Sequence, residues 1–175
     1  MDEKAILECM ETRRSVRAYL PDAVPKEKLD RILCAGLYAA SGMGWQSAMI
    51  LCVTDKNLRD RLMRMNAAVM GVPDKDPFYG APCVLVVLAD RSVPTHVYDG
   101  SLVLGNMMLA AHAEGLGSCW IHRAREEFDS DEGKAILRDF GIEGDYEGIG
   151  HLIVGFTDGA EPEAKPRREG RVYHI

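Results

Sequence analysis

Apolar residues recur along this chain at two periods, and the switching between them divides it into helices and strands. Ile6, Leu7 and Met10 fall at helical spacing behind Asp2, a residue able to N-cap a first helix. Pro21 and Pro25 bracket a turn. Pro25 suits the first position of a second helix, whose stripe is Leu29, Ile32, Leu33, Gly36 and Leu37 and which runs out at Ser41-Gly42-Met43-Gly44. The run SAMILCVTD is short, apolar and closed by polar residues, as in a buried strand, and Leu58, Leu62, Met65 and Val69 then return to the helical period.

Beyond a loop dense in Gly, Pro and Asp (GVPDKDPFYGAP), CVLVVLAD is the clearest strand. THVYDGSLVLGNMMLAAHAEGLG predicts a helix that is apolar nearly all round and closes at Gly115 or Gly117. Such a helix must be covered on most sides, either by the rest of its own domain or by a second subunit. SCWIH predicts a short strand, DSDEGKAILRDFGI an acidic-started helix and EGIGHLIVGFTD a last core strand, before a polar tail without periodicity. There is no internal repeat and no boundary within residues 1–160, so a single domain over 1–175 is expected, with 161–175 as a C-terminal tail. Strands and helices without strict βαβ alternation favour an α+β sandwich, a sheet with helices on both sides.

Composition narrows the function classes. Apolar residues at 47% and charged residues at 27% of a 175-residue chain are the balance of a folded globular protein. A net charge of −6 provides no long-range attraction for a polyanion, which argues against nucleic acid as a partner. Cys9, Cys34, Cys52, Cys83 and Cys119 are widely spaced, with no CxxC pair, and read as reduced structural thiols of a cytoplasmic protein. The N-terminus lacks the apolar core of a secretory signal, and the longest apolar run is interrupted by Asn106, His112 and Glu114, so neither export nor a membrane span is expected.

Against that acidic background two basic clusters stand out, Arg13, Arg14 and Arg17 around Ser15 near one end, and Lys165, Arg167, Arg168 and Arg171 near the other. Each alone is compatible with a solvated surface patch. Brought together, they would suit a compact anion, because arginine forks bind phosphate through paired N–H groups and lysine adds a point charge. Standard dinucleotide and P-loop sites are excluded, since no GxGxxG follows a strand and no GxxxxGK[ST] occurs. The five histidines show no HxxxH or HExxH spacing, so no metal site is expected, and no serine lies in a GxSxG context. The carboxylate pairs Glu126-Glu127 and Asp129-Asp131 precede a helix and read as capping, dipole-favourable charges.

The order of pieces resembles the FMN-dependent nitroreductase family: RRSVRAY, a proline-started helix ending in AASGMGWQS, a strand closed by TD, GAP before CVLVVLAD, GLGSCWI, and a KPR tail. The resemblance covers nearly the whole chain through the order and spacing of its motifs. It implies a three-layer α/β/α sandwich around a mixed, mainly antiparallel sheet. It further implies a homodimer with FMN at the subunit interface, and hydride transfer from NAD(P)H through FMN to nitroaromatics, quinones or similar acceptors by a ping-pong mechanism. A specialised enzyme of the same fold, a dehydrogenase or a flavin-cannibalising one, and a non-catalytic flavin-binding module are the alternatives.

The same resemblance implies site residues. Arg13 and Ser15 match the phosphate side, Arg17 the cation near the flavin's pyrimidine edge, and Arg14 a second contact position. Lys165 and Arg167 match C-terminal phosphate ligands. Ser41, Gly42, Met43, Gly44 and Gln46 match the loop that a partner subunit lays on the flavin. That loop departs from the usual pattern: Gly44 stands where Asn is common, and Ser47-Ala48 replace Pro-Trp. Trp45 either covers the flavin or packs elsewhere. Asn66 matches a position that bonds the flavin ring, or is a surface residue of its helix. Ile121, His122 and Arg123 match the segment whose backbone N–H faces flavin N5. His122 is either the proton donor to a bound acceptor or an exposed histidine without a catalytic role.

Overall fold

The computed structural model of the protein describes residues 3–159 and 162–175. The expected cap at Asp2 lies outside the described residues. Six helices and four strands follow in the order α1 (Glu3–Thr12), α2 (Lys26–Leu37), β1 (Ala48–Val53), α3 (Lys56–Val69), β2 (Cys83–Asp90), α4 (His96–Ala113), β3 (Gly117–Ile121), α5 (Ala124–Asp129), α6 (Asp131–Asp139) and β4 (Tyr146–Gly155). Local chemistry sets several boundaries. Asp55 caps α3 by accepting from Leu58 N at 2.8 Å, Ser130 caps α6 by accepting from Gly133 N at 3.1 Å, and Gly115 leaves α4 at φ +73°.

The strands form one sheet in the order β1-β2-β4-β3. All three pairings are antiparallel, so the parallel component expected of a mixed sheet is confined to an isolated bridge between Ser15 and Ser118. Between β2 and β4 the register slips at Val87/Leu88, which places Ile149 as the extra residue of a bulge. β2 lies at the centre with both faces covered, which is why CVLVVLAD is continuously apolar rather than alternating.

Successive residues of β2 feed two cores. Val84, Val86 and Leu88 pack with Leu62 and Met65 of α3, Phe128 of α5 and Ile136 of α6. Leu85, Val87 and Ala89 pack with Ile32 of α2 and with Val103, Leu104 and Met107 of α4. The sheet is thus sandwiched between α2 with α4 and α3 with α5 and α6, an α+β architecture of three layers.

Several local expectations are corrected by packing. Ile6, Leu7 and Met10 of α1 are exposed, as is Leu37 of α2, because these stripes face away from both cores. Cys34 and Cys52 are exposed, whereas Cys83 and Cys119 are buried, and all five thiols are free. α4 is a core helix on one side only. Gly100, Val103, Leu104, Met107 and Ala111 are buried, while Val97, Tyr98 and Leu102 lie open. The acidic-started helix is α6, a further short helix, α5, precedes it, and Glu127, expected as a capping, dipole-favourable charge, is fully buried in α5.

Candidate functional site

The arginine segment leaves α1 and runs beside the start of β3. Val16 N donates to Ser118 O at 3.0 Å, and Tyr19, buried, donates its hydroxyl to Val16 O at 2.7 Å. Desolvation by that burial pushes the Tyr19 hydroxyl far above the ordinary range. The approach is close: a Cβ on Gly117 would lie 2.9 Å from Val16 Cβ.

This path converges Arg13, Ser15 and Arg17 on the Cys119 thiol. Burial pushes that thiol up, against the pull of Arg17, a hydrogen bond from Ser15 and the charge of Arg13. Arg13 Nη1 is buried without a hydrogen-bond partner, and so is the Ser118 hydroxyl next to Ser15. A buried guanidinium N–H left unpaired is costly, so this corner is chemically poised for an anion. Arg14 behaves differently. Its Nη1 donates to the carbonyls of Glu11 and Arg13 at 2.6 and 2.8 Å, satisfying the exit of α1. Arg17 is exposed, with Nη1 3.4 Å from Ser15 O.

The loop after α2 is held by a residue that sequence reasoning missed. Asp99, buried in the first turn of α4, accepts from Gly42 N at 2.9 Å, Ser47 Oγ at 2.8 Å and Thr95 Oγ1 at 3.0 Å. Ser41 Oγ accepts from Gln46 N at 3.0 Å, and Met43, Gly44 and Gln46 all adopt left-handed φ of 52°, 71° and 50°. Met43, Gly44, Trp45 and Gln46 are consequently exposed. The arginine segment sits at the other end of α4, where Thr12 Oγ1 lies 2.9 Å from His112 Nε2. His112 is some 13 residues beyond Asp99, roughly 20 Å at the helical rise. Within one chain the loop and the arginines therefore stand at opposite ends of this helix.

At the far end of β3, Ile121 is buried and His122 and Arg123 are exposed. Arg123 takes φ +83° and opens α5. Asn66 is no surface residue: fully buried in α3, it donates Nδ2 to His122 O at 2.7 Å and to Glu127 Oε1 at 2.6 Å. Glu127 Oε2 lies 3.2 Å from Nε2 of His151, also fully buried. A lone polar residue inside an apolar run was the available signal for both Asp99 and His151.

The tail residues Lys165 and Arg167 are exposed, and no hydrogen bond or ion pair among the described residues joins them to the arginine segment. A cavity of about 240 Å³ lined by Val16, Arg17, Thr157 and Pro162 adjoins Arg17. A larger one, about 970 Å³, opens between α2 and β1 and contains none of these residues. Its charges are mutually paired (Lys26 with Asp30, Arg59 with Asp60 and Asp76), so it offers an anion much less than the corner at Arg13.

Residues 10–156 match the model of the Nitroreductase family, most of the chain and every element from the arginine segment to β4. The chain belongs to the Nitroreductase family. A relative in Methanothermobacter thermautotrophicus, provisionally named an NADH dehydrogenase/NAD(P)H nitroreductase, is 31% identical over 119 residues, 66% of this chain and 59% of that protein. The chain thus spans less than two thirds of that relative's length. Among solved structures of the family's fold, a nitroreductase with bound FMN from Bacteroides fragilis superposes over 100% of both chains with a TM-score of 0.88 and 28% identity. Iodotyrosine deiodinase bound to FMN and 3-iodo-L-tyrosine shares the fold alone, at 23% identity and a TM-score of 0.78 over 97% of this chain and 98% of its own.

Proposed function

We propose that this protein is an FMN-dependent oxidoreductase whose reduced-flavin equivalents come from NADH or NADPH and pass to nitroaromatics, quinones or similar acceptors. The observation that carries the reading is the buried, unpartnered Arg13 Nη1 beside Ser15 and Ser118, which fits a phosphate monoester. Bound FMN supplies the hydride chemistry itself. The protein's share is placement. Arg13 and Ser15 would hold the phosphate, and Lys165 and Arg167 would add charge from the tail. The fixed charge of Arg17 stabilises negative charge gained at the pyrimidine edge. Ile121, His122 and Arg123, at the far end of β3, would border the flavin ring. Ser118 and His122 are about 13 Å apart at the strand rise, a reach suited to a ribityl linker between phosphate and ring.

A partner loop belongs to the same reading. Ser41, Gly42, Met43, Gly44 and Gln46 stand a helix length from Arg13 in one chain, which supports a two-fold homodimer in which a second copy presents them to this flavin. Exposed Val97, Tyr98 and Leu102 on α4, with Met43 and Trp45 beside them in the fold, are apolar surface that such a partner would cover. One acceptor face serves the nicotinamide and the acceptor in turn, which is a ping-pong scheme. His122, exposed at that face, is placed to give a proton to the acceptor. Five free cysteines suit the reducing cytoplasm, and no helix among the described residues is long and apolar enough to cross a membrane.

Titration of the purified protein with FMN tests the reading, followed by stopped-flow mixing with NADH and NADPH and turnover with a nitro compound and a quinone. A yellow dimer bleached by either nucleotide is expected. Protein that stays colourless overturns it, and FMN that binds without cycling points to the flavin-binding module instead.

A further inference from the structure

We infer that Asn66, Glu127 and His151 form a buried positioning device that turns the Arg123 peptide N–H outward, towards the flavin ring. The inference rests on the flavin reading above and assigns these side chains no contact with the ring. Asn66 and His151 are 0% exposed and Glu127 1%. They come from α3, α5 and β4, elements distant in the chain. Their chain of contacts ends on a backbone atom: His151 Nε2 to Glu127 Oε2 at 3.2 Å, Glu127 Oε1 from Asn66 Nδ2 at 2.6 Å, and the same Nδ2 to His122 O at 2.7 Å.

The consequence follows from peptide geometry. In a trans peptide the C=O of one residue and the N–H of the next point in opposite directions, and no cis peptide occurs among the described residues. With the His122 carbonyl drawn inward onto buried Asn66, the Arg123 N–H must face away from the core. The left-handed φ of +83° then lets the Arg123 carbonyl turn back and accept from Glu127 N at 3.1 Å, starting α5. Glu127 therefore grips the segment twice, by its backbone and through Asn66.

Stability alone does not account for such a set. A buried Glu and His cost desolvation that apolar side chains of similar size avoid, and His151 is walled in by Phe78 and Phe128, whose rings lie 5.3 and 6.5 Å from its own. His151 Nε2 stands beside Glu127 Oε2 without hydrogen-bonding it, and Asn66, donating to both Glu127 Oε1 and the His122 carbonyl, ties the buried side chain to one peptide. Leu in place of Asn66 would fill the space and leave the 122–123 peptide free to rotate.

Amide hydrogen exchange on the wild type with and without FMN tests the orientation directly. The Arg123 N–H is expected to exchange rapidly in the apoprotein and to slow by about tenfold or more on FMN loading. Slow exchange already present without FMN means that the N–H points into the protein, and overturns the inference. Asn66→Leu, loaded with FMN, is expected to be reduced by its nicotinamide nucleotide about 10- to 100-fold more slowly, as a misplacement of the reacting geometry entails. A folded, FMN-loaded Asn66→Leu that is reduced at the wild-type rate also overturns it. Glu127→Gln keeps an acceptor for Asn66 and is expected to restore most of the reduction rate that Glu127→Leu loses, whereas equal losses in the two refute the positioning role. Should Asn66→Leu not fold, the exchange measurement and the Glu127 pair decide. Failure of the flavin reading itself shows separately, as absence of FMN uptake by the wild type, and removes this inference with it.

Discussion

The backbone N–H of Gly42 donates to Asp99 Oδ1 at 2.9 Å, tying the loop after α2 to the first turn of α4. Room for that bond exists because residue 42 is glycine: a Cβ there would lie 2.3 Å from Thr95 Oγ1. Asp99→Ala removes three hydrogen bonds to one buried carboxylate and is expected to cost on the order of 3 kcal/mol. Asp99→Asn keeps an acceptor for Gly42, and the Ser47 and Thr95 hydroxyls can rotate to accept, so its loss should be smaller. Urea unfolding of the two variants checks the order, and FMN affinity should fall along with stability if the loop belongs to the site.

Acid should undo the same anchor. Burial pushes the Asp99 carboxyl up, but the Gly42 N–H and the Ser47 and Thr95 hydroxyls outweigh it and leave it below the ordinary value. A carboxylate depressed in the folded state adds stability above its unfolded value, near 4, and that contribution is lost as the pH falls through the folded value. The stability gap between wild type and Asp99→Asn is therefore expected to be constant at neutral pH and to close below about pH 4. Denaturation series across the acid range measure it, and a gap that does not narrow at all as the pH falls below about 4 contradicts the assignment.

Arg13 and Arg14, neighbours in the chain, should respond differently. Arg13→Leu removes a cation whose Nη1 has no protein partner, and FMN affinity is expected to fall by about 1.5–3 kcal/mol with little change in the stability of the apoprotein. Arg14→Ala deletes bonds to the end of α1, so a smaller loss of affinity and a stability loss of about 0.5–1 kcal/mol are expected. Fluorescence titration with FMN and apoprotein melting curves separate the two effects.

Arg123 holds a backbone conformation that side chains resist. Glycine adopts φ +83° freely, and among the described residues the Arg123 side chain makes an exposed ion pair with Glu126 at 2.8 Å. Arg123→Gly is expected to leave folding stability unchanged or raise it by about 1 kcal/mol, while Arg123→Val lowers it by about 1–2 kcal/mol. Chemical denaturation is sufficient, and a strongly destabilised glycine variant would show that the side chain, not the backbone, holds the turn.

The sequence by itself determined the elements whose signals are local. CVLVVLAD is a strand because a central strand with both faces covered admits only apolar residues, and Asp55 and Gly115 bound helices through their own neighbours. Motif order along the chain was also sufficient for the family. Which side of each amphipathic stripe meets a core was decided only by the tertiary structure. The exposed Ile6, Leu7 and Met10 and the open face of α4 carry the same period as buried stripes, since period encodes a face and not what lies against it. Glu127 makes the point most sharply. Its chain neighbours describe a charge near a helix start, while its surroundings are set by Asn66, 61 residues earlier, and by His151 of β4. Such a buried polar set exists only where distant segments meet, because its members lie on α3, α5 and β4.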